Sequence, residues 1–168
     1  MQKGYNNKLV GQAGEYLVAS ELSRRGLIAT TFTGNVPHYD IVASDEDGRH
    51  VSVQVKAVRR GSWQGDISKY CEISFDGKKQ IISDEPKECP IKRLVMVFVQ
   101  LSEKYGDDRF YILTWEEFRD VAVRHHKDYL QVHNGIRPKK FDSLHFSVSE
   151  ETLAEYANRW EVIEDHLE

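Results

Sequence analysis

The chain has 168 residues, 40% of them hydrophobic and 30% charged, and a net charge of −4. That length is most economically one domain with a buried core, 1–168, and no apolar run approaches the ~20 residues of a membrane span. The N-terminus lacks a charged-then-apolar secretory pattern. Two cysteines, Cys71 and Cys89, are too few for a disulfide framework, so the expected location is a reducing one, the cytoplasm.

Met1 to Asn7 is polar and expected to fray. Lys8 to Arg25 reads as a helix, with Val10, Ala13, Leu17, Val18 and Leu22 as its apolar stripe and Gly26 as its stop. Glu15 shares a face with Val18, Ala19 and Leu22, so its carboxylate leans toward the core and calls for a cation or a hydrogen bond. Gly11 and Gly14 flank it and permit close approach of another backbone or a ligand. Leu27 to Thr33 is a short strand, and Gly34 to His38 a loop leading to Asp40.

Tyr39 to Val42 and Val51 to Lys56 read as two strands joined by the turn Asp45-Glu46-Asp47-Gly48. Val51, Val53 and Val55 face one way; Ser52, Gln54 and Lys56 face the other. Gln54 and Lys56 therefore present an amide oxygen and an ammonium side by side, and Asp40 can bring a carboxylate to the same spot. Such a set suits a hard cation and an attacking water.

Past Lys56, Arg59 and Arg60 are placed for phosphates, while Trp63 either stacks on a base or closes the core. Tyr70 to Phe75, the turn Asp76-Gly77, and Lys78 to Ile82 form a second hairpin; Lys78-Lys79 at its tip either touches a DNA backbone or, as is commoner for such tips, guards against edge pairing. Ser83 to Pro90 is a polar loop. Leu94 to Leu101 is continuously apolar, as suits a strand buried on both faces, and Arg109 to Leu113 is the next strand. Thr114-x-x-Glu117 is a capping box opening a helix that reaches about Leu130, with His125-His126 on its surface. Ser143 to Val148 alternates like an edge strand, and Ser149 caps a closing helix from Glu150 to about Ile163.

Charge is unevenly spread. Residues 51–60 hold three cations and no acid, 124–140 hold five cations against one acid, and 150–168 hold seven acids against one cation. The basic segment offers His133, Arg137, Lys139 and Lys140 as a backbone-phosphate clamp.

Asp40, a gap of thirteen residues, then Gln54-Val55-Lys56, preceded by a helix bearing Glu15, resembles the PD-(D/E)XK nuclease superfamily. The resemblance is to the variant with glutamine at the second acidic position, known from some transposon-end and homing endonucleases, and it covers roughly residues 8 to 115. It implies an α/β (mixed α+β sheet), restriction-endonuclease-like αβββαβ core, about residues 8–130, with an inserted hairpin, a helix on each face and a C-terminal strand-helix extension over 131–168. It further implies a DNA endonuclease using Mg2+, with Mn2+ as substitute. Asp40 would be the principal ligand, joined by the Gln54 amide oxygen, the Val55 carbonyl and Glu15, while Lys56 positions water. Double-strand cutting implies a homodimer or higher oligomer. The competing expectation, from the neutral Gln54, is a catalytically silent relative that binds DNA or another protein in an immunity or regulatory role; RNA stays open as a substrate.

Overall fold

The computed structural model describes residues 3–32 and 36–168. Met1-Gln2, the expected strand end at Thr33, and Gly34-Asn35 of the expected loop lie outside them. In chain order the elements are α1 (Lys3–Arg24), β1 (Ile28–Thr31), β2 (Ile41–Ser44), β3 (His50–Val58), β4 (Trp63–Asp66), β5 (Cys71–Asp76) and β6 (Lys79–Pro86). There follow β7 (Leu94–Gln100), β8 (Arg109–Thr114), α2 (Trp115–Val132), β9 (His145–Val148) and α3 (Glu161–Asp165). This is a mixed α+β fold. No helix among the described residues is long and apolar enough to cross a membrane.

The chain forms two compact units. The first comprises Met1–Trp63, Cys89–Trp115 and Ser149–Glu168. Its sheet runs β1-β2-β3-β7-β8, antiparallel throughout except for the parallel pair β3–β7. All of β7 is buried, as its unbroken apolar run requires of a strand covered on both faces. Val51, Val53 and Val55 join Ile41, Ala43, Val95, Val97 and Val99 in one core with Val10, Val18 and Leu22 of α1. Gly26 ends that helix with φ +87°, a left-handed value that favours a residue without Cβ. The helix begins earlier than its periodicity predicts, at Lys3.

The C-terminal stretch departs from expectation. No continuous helix runs from Glu150 to Ile163: the chain makes a turn, a short 3-10 segment at Ala154–Tyr156, and only then α3. Between them Ala157 is extended and bridges to Tyr111, and Asn158, at φ +56°, donates its N–H to the Phe110 carbonyl at 2.9 Å. Pairing with β8 breaks the helix. Ser149 still caps the first turn, its Oγ receiving the Thr152 amide at 3.4 Å. Three acids of this stretch meet cations of the first unit: Glu150 takes a bidentate pair from Arg109 at 2.7 Å, Glu164 meets Arg25 at 3.5 Å, and Glu168 meets Lys92 and Arg93.

The second unit comprises Gln64–Glu88 and Glu116–Val148. It holds the hairpin β5–β6, turned at Gly77 with φ +59°, and the small sheet β4-β9. Part of the expected polar loop is strand, since β6 continues to Pro86; a proline is tolerated there because a strand end need not donate a ladder hydrogen bond. Tyr70 packs edge-on against Phe118 at 5.3 Å and Phe146 at 5.9 Å. His126, expected on the surface of α2, is instead 1% exposed. Its Nε2 lies 3.0 Å from the Gln80 Oε1, and the Gln80 Nε2 donates to the carbonyls of Phe141 at 2.7 Å and Ser143 at 3.0 Å. With the amide nitrogen committed to two carbonyls, the amide oxygen is the acceptor and His126 the donor, which sets the neutral Nε2–H tautomer.

Candidate active site

The antiparallel register pairs Ile41 with Val53, so one step back along the chain Asp40 stands opposite Gln54. There the ladder stops being regular. Asp40 donates its amide to the Val53 carbonyl at 2.9 Å, and its Oδ2 accepts the amide of Val55 at 2.7 Å. A side-chain oxygen replaces a backbone carbonyl, and β2 ends while β3 continues beyond it. The approach to this point bends at His38, which takes φ +76°, a conformation only a few per cent of non-glycine residues adopt.

Val55 N–H points to the Asp40 side, and in a strand a residue's carbonyl lies on the same side as its amide. The Val58 carbonyl, three residues on and of opposite parity, is taken from the β7 side by the Leu101 amide at 2.8 Å. The Val55 carbonyl is therefore directed to the open edge that Asp40 clips. Gln54 and Lys56 are half-buried and alternate with the buried valines, so they project from the face opposite α1. Their β7 partners in register are Met96 and Phe98.

Glu15 follows directly on a close helix–strand contact. A Cβ on Gly14 would lie 2.5 Å from the Ala57 Cβ and 3.5 Å from the Val55 Cγ1, closer than atoms can sit. Only glycine lets α1 settle on the end of β3, and the next residue is Glu15. Its carboxyl titrates above the ordinary carboxylate range, chiefly because it is partly buried and secondly because the negative charge of Asp40 is near. Asp40 is thus tied directly to Val55, Gln54 and Lys56 flank Val55 on the strand, and Glu15 lies where the charge of Asp40 is felt.

The donor chemistry fits a hard divalent cation. Every candidate ligand atom is oxygen: the carboxylates of Glu15 and Asp40, the Gln54 amide and the Val55 carbonyl. Oxygen sets suit Mg2+ or Mn2+, whereas zinc is met by imidazole and thiolate. Repulsion between the Asp40 charge and an ionised Glu15 would be relieved by positive charge between them. Among the described residues no three His, Cys, Asp or Glu cluster as a metal cage, and Mg2+, which keeps several waters, does not need one.

Of the two roles open to Trp63, the core role holds. It is 3% exposed, with its ring edge-on to Phe98 at 5.5 Å and Tyr111 at 5.7 Å, so no ring face is left for a base. Arg59 is exposed and its carbonyl accepts from the Gln100 Nε2 at 2.9 Å. Arg60 is also exposed and pairs with Glu103 at 2.6 Å.

The remaining expected phosphate contacts, His133, Arg137, Lys139 and Lys140, belong to the second unit. Arg137 donates from Nη1 to the His145 carbonyl at 2.7 Å and lies 5.0 Å over the Tyr129 ring. His133 packs on the same ring at 4.6 Å. Sequence reasoning missed the burial of His126, although a signal existed: Phe118, Ala122, His126 and Leu130 recur every four residues, and all four are buried. It also missed the carboxylate clip at Val55, which no local pattern encodes.

No protein-family model matches the chain, and no curated protein matches it. Among solved structures it is similar to a bacterial homing endonuclease, I-Ssp6803I, at 16% sequence identity with a TM-score of 0.49, over 93% of this chain and 91% of that one.

Proposed function

We propose that the chain is a divalent-cation-dependent DNA endonuclease whose hydrolytic centre comprises Glu15, Asp40, Gln54, the Val55 carbonyl and Lys56. The observation that carries this reading is the Asp40–Val55 clip at 2.7 Å, which holds a carboxylate at the open end of β3, with the Glu15 carboxyl near enough to feel its charge. A fixed carboxylate, a second acid, two neutral oxygens and an amine at one strand end are what phosphodiester hydrolysis asks for.

Mg2+, or Mn2+ in its place, supplies positive charge and Lewis acidity at the phosphate when bound. Asp40 is its main anchor: one carboxylate oxygen is tied to the Val55 amide, and the other is left for the ion. The Gln54 amide oxygen and the Val55 carbonyl add neutral donors, and Glu15 contributes a second carboxylate, directly or through water. Lys56 orients the attacking water and stabilises the negative charge that grows on the phosphate as water adds and the P–O bond to the leaving sugar breaks. Arg59 and Arg60 serve the flanking phosphates, and Arg60 exchanges Glu103 for DNA. Cutting both strands takes two such centres, so association of two copies is part of the proposal.

The test is cleavage of supercoiled plasmid in Mg2+ or Mn2+. D40A and K56A each lose about 100-fold or more in rate, the scale on which removing one group that stabilises transition-state charge acts, while folding is checked by circular dichroism. Cleavage at the parent rate in both variants rules out the centre. Absence of cleavage by the parent protein in either metal points to the binding-module reading instead.

A further inference from the structure

The second unit brings two basic segments together that lie far apart in the sequence. In the hairpin, β6 starts at Lys79, and the next residue, Gln80, donates its amide to the Gly135 carbonyl at 2.9 Å. Gly135 sits at φ +80° with the Lys79 stem against it, a would-be Cβ lying 3.6 Å from Lys79 Cβ. The hairpin-tip cations Lys78 and Lys79 therefore border the segment that continues into Arg137, Lys139 and Lys140. That segment lines a cleft of about 400 Å³ together with Tyr129, His133 and Ser143.

Two features set this cleft apart from a solvated basic loop. No carboxylate lines it, in a chain whose net charge is −4; Asp142, nearby along the chain, meets Lys140 only at 3.8 Å. Its walls are also held from behind. Gln80 ties the Phe141 and Ser143 carbonyls to β6 and to His126, while Arg137 is fixed between the His145 carbonyl and the Tyr129 ring. A guanidinium ordered before binding gives up little side-chain entropy when it meets an anion, and its other N–H groups remain for that anion.

We propose that this face, with Lys78 and Lys79 as one border and Arg137, Lys139 and Lys140 as the other, grips consecutive backbone phosphates of a DNA duplex. The hairpin tip is thus a phosphate contact and not only a guard against edge pairing. Gln80 acts as a positioning residue for the Phe141–Ser143 wall. The proposal rests on DNA being the substrate of the hydrolytic centre but uses none of that centre's residues.

Binding of a labelled duplex is measured by fluorescence anisotropy on the D40A background in EDTA, across a salt series. K139A/K140A and K78A/K79A each weaken binding about 10-fold or more near 0.1 M salt and reduce the slope of log K against log salt by about 2, one for each lost phosphate contact. The control K8A/K104A removes the same charge from exposed sites of the first unit and leaves the slope unchanged. K139E/K140E weakens binding further, and an unchanged melting curve separates lost contacts from lost fold. Slopes unchanged in both lysine pairs, or reduced equally by the control, overturn the proposal. So does tighter binding of a matched RNA duplex. If those slopes are unchanged while plasmid cleavage still requires Asp40, the surface falls and the hydrolytic centre stands; lysine-dependent binding with cleavage indifferent to Asp40 is the reverse.

Discussion

Gln54 is the residue that sets the strength of the proposed ion site. A neutral amide there removes one negative charge from beside the ion. At ~4 Å and an effective dielectric of ~20, a unit pair is worth about 4 kcal/mol before compensation, and a divalent ion doubles it. Desolvation and repulsion from Asp40 and Glu15 cancel much of that. Q54E should still bind Mn2+ about 10-fold or more tightly by titration calorimetry, with a matching fall in the metal concentration for half-maximal cleavage. An unaltered affinity means the side chain at position 54 does not face the ion. With Gln54 neutral, Glu15 matters more: E15Q should weaken Mn2+ binding and slow cleavage about 10-fold or more, approaching the effect of D40A.

The elements meet most tightly where α1 crosses β3. Alanine at position 14 gains about 1 kcal/mol in intrinsic helix propensity, yet its methyl would sit 2.5 Å from the Ala57 Cβ. Overpacking of this kind costs about 1–3 kcal/mol. G14A should therefore lower stability to chemical denaturation and, by lifting Glu15 from the strand end, slow cleavage. In an A57G background the obstruction is gone, so the same G14A change should become stabilising. A G14A effect of the same sign and size in both backgrounds means the contact does not limit how α1 docks. Much at this scale was legible in the sequence. The valine alternation of β3, the Asp45–Gly48 turn, the apolar run of β7 and the Gly26 stop are short-range patterns, and the structure has them all. What escaped depends on distant partners. The helix predicted after Ser149 is interrupted because Ala157 and Asn158 pair with β8, and nothing within the stretch announces that strand. β4 is four residues long and exists through its pairing with β9. The candidate site divides the same way. Asp40, Gln54, Lys56 and the glycine beside Glu15 are visible as residues, but the amide clip that fixes Asp40 appears only once β2 and β3 are in register.

For the molecule as a whole, the second unit carries its own pH dependence. His126 is buried, and burial, followed by the charges of Arg137 and His125, pulls its pKa down to about 4 from the usual 6.5. A depressed histidine favours the folded state only while neutral. The stabilisation is thus complete above about pH 6.5, falls as pH drops through the interval from 6.5 to about 4, and changes no further below that. At 1.36 kcal/mol per unit the total is about 3 kcal/mol. Thermal or urea unfolding between pH 7 and 4 should show this loss. H126Q, which can still donate toward Gln80, should flatten the profile even if it lowers stability overall. A parent profile no steeper than that of H126Q shows that His126 is not the group responsible.

The same network has a consequence for how the chain is made. Gln80 leaves the ribosome 63 residues ahead of the Ser143 carbonyl it must hold. At about 5–20 residues per second, the hairpin spends roughly 3–13 s with that amide held only by water and with Phe75 lacking its later ring partner, Phe141. Nascent chains halted in that interval leave the Gln80 N–H of β6 without its Gly135 partner, which makes it the natural moment for chaperone attention or for mispairing between neighbouring copies on one message.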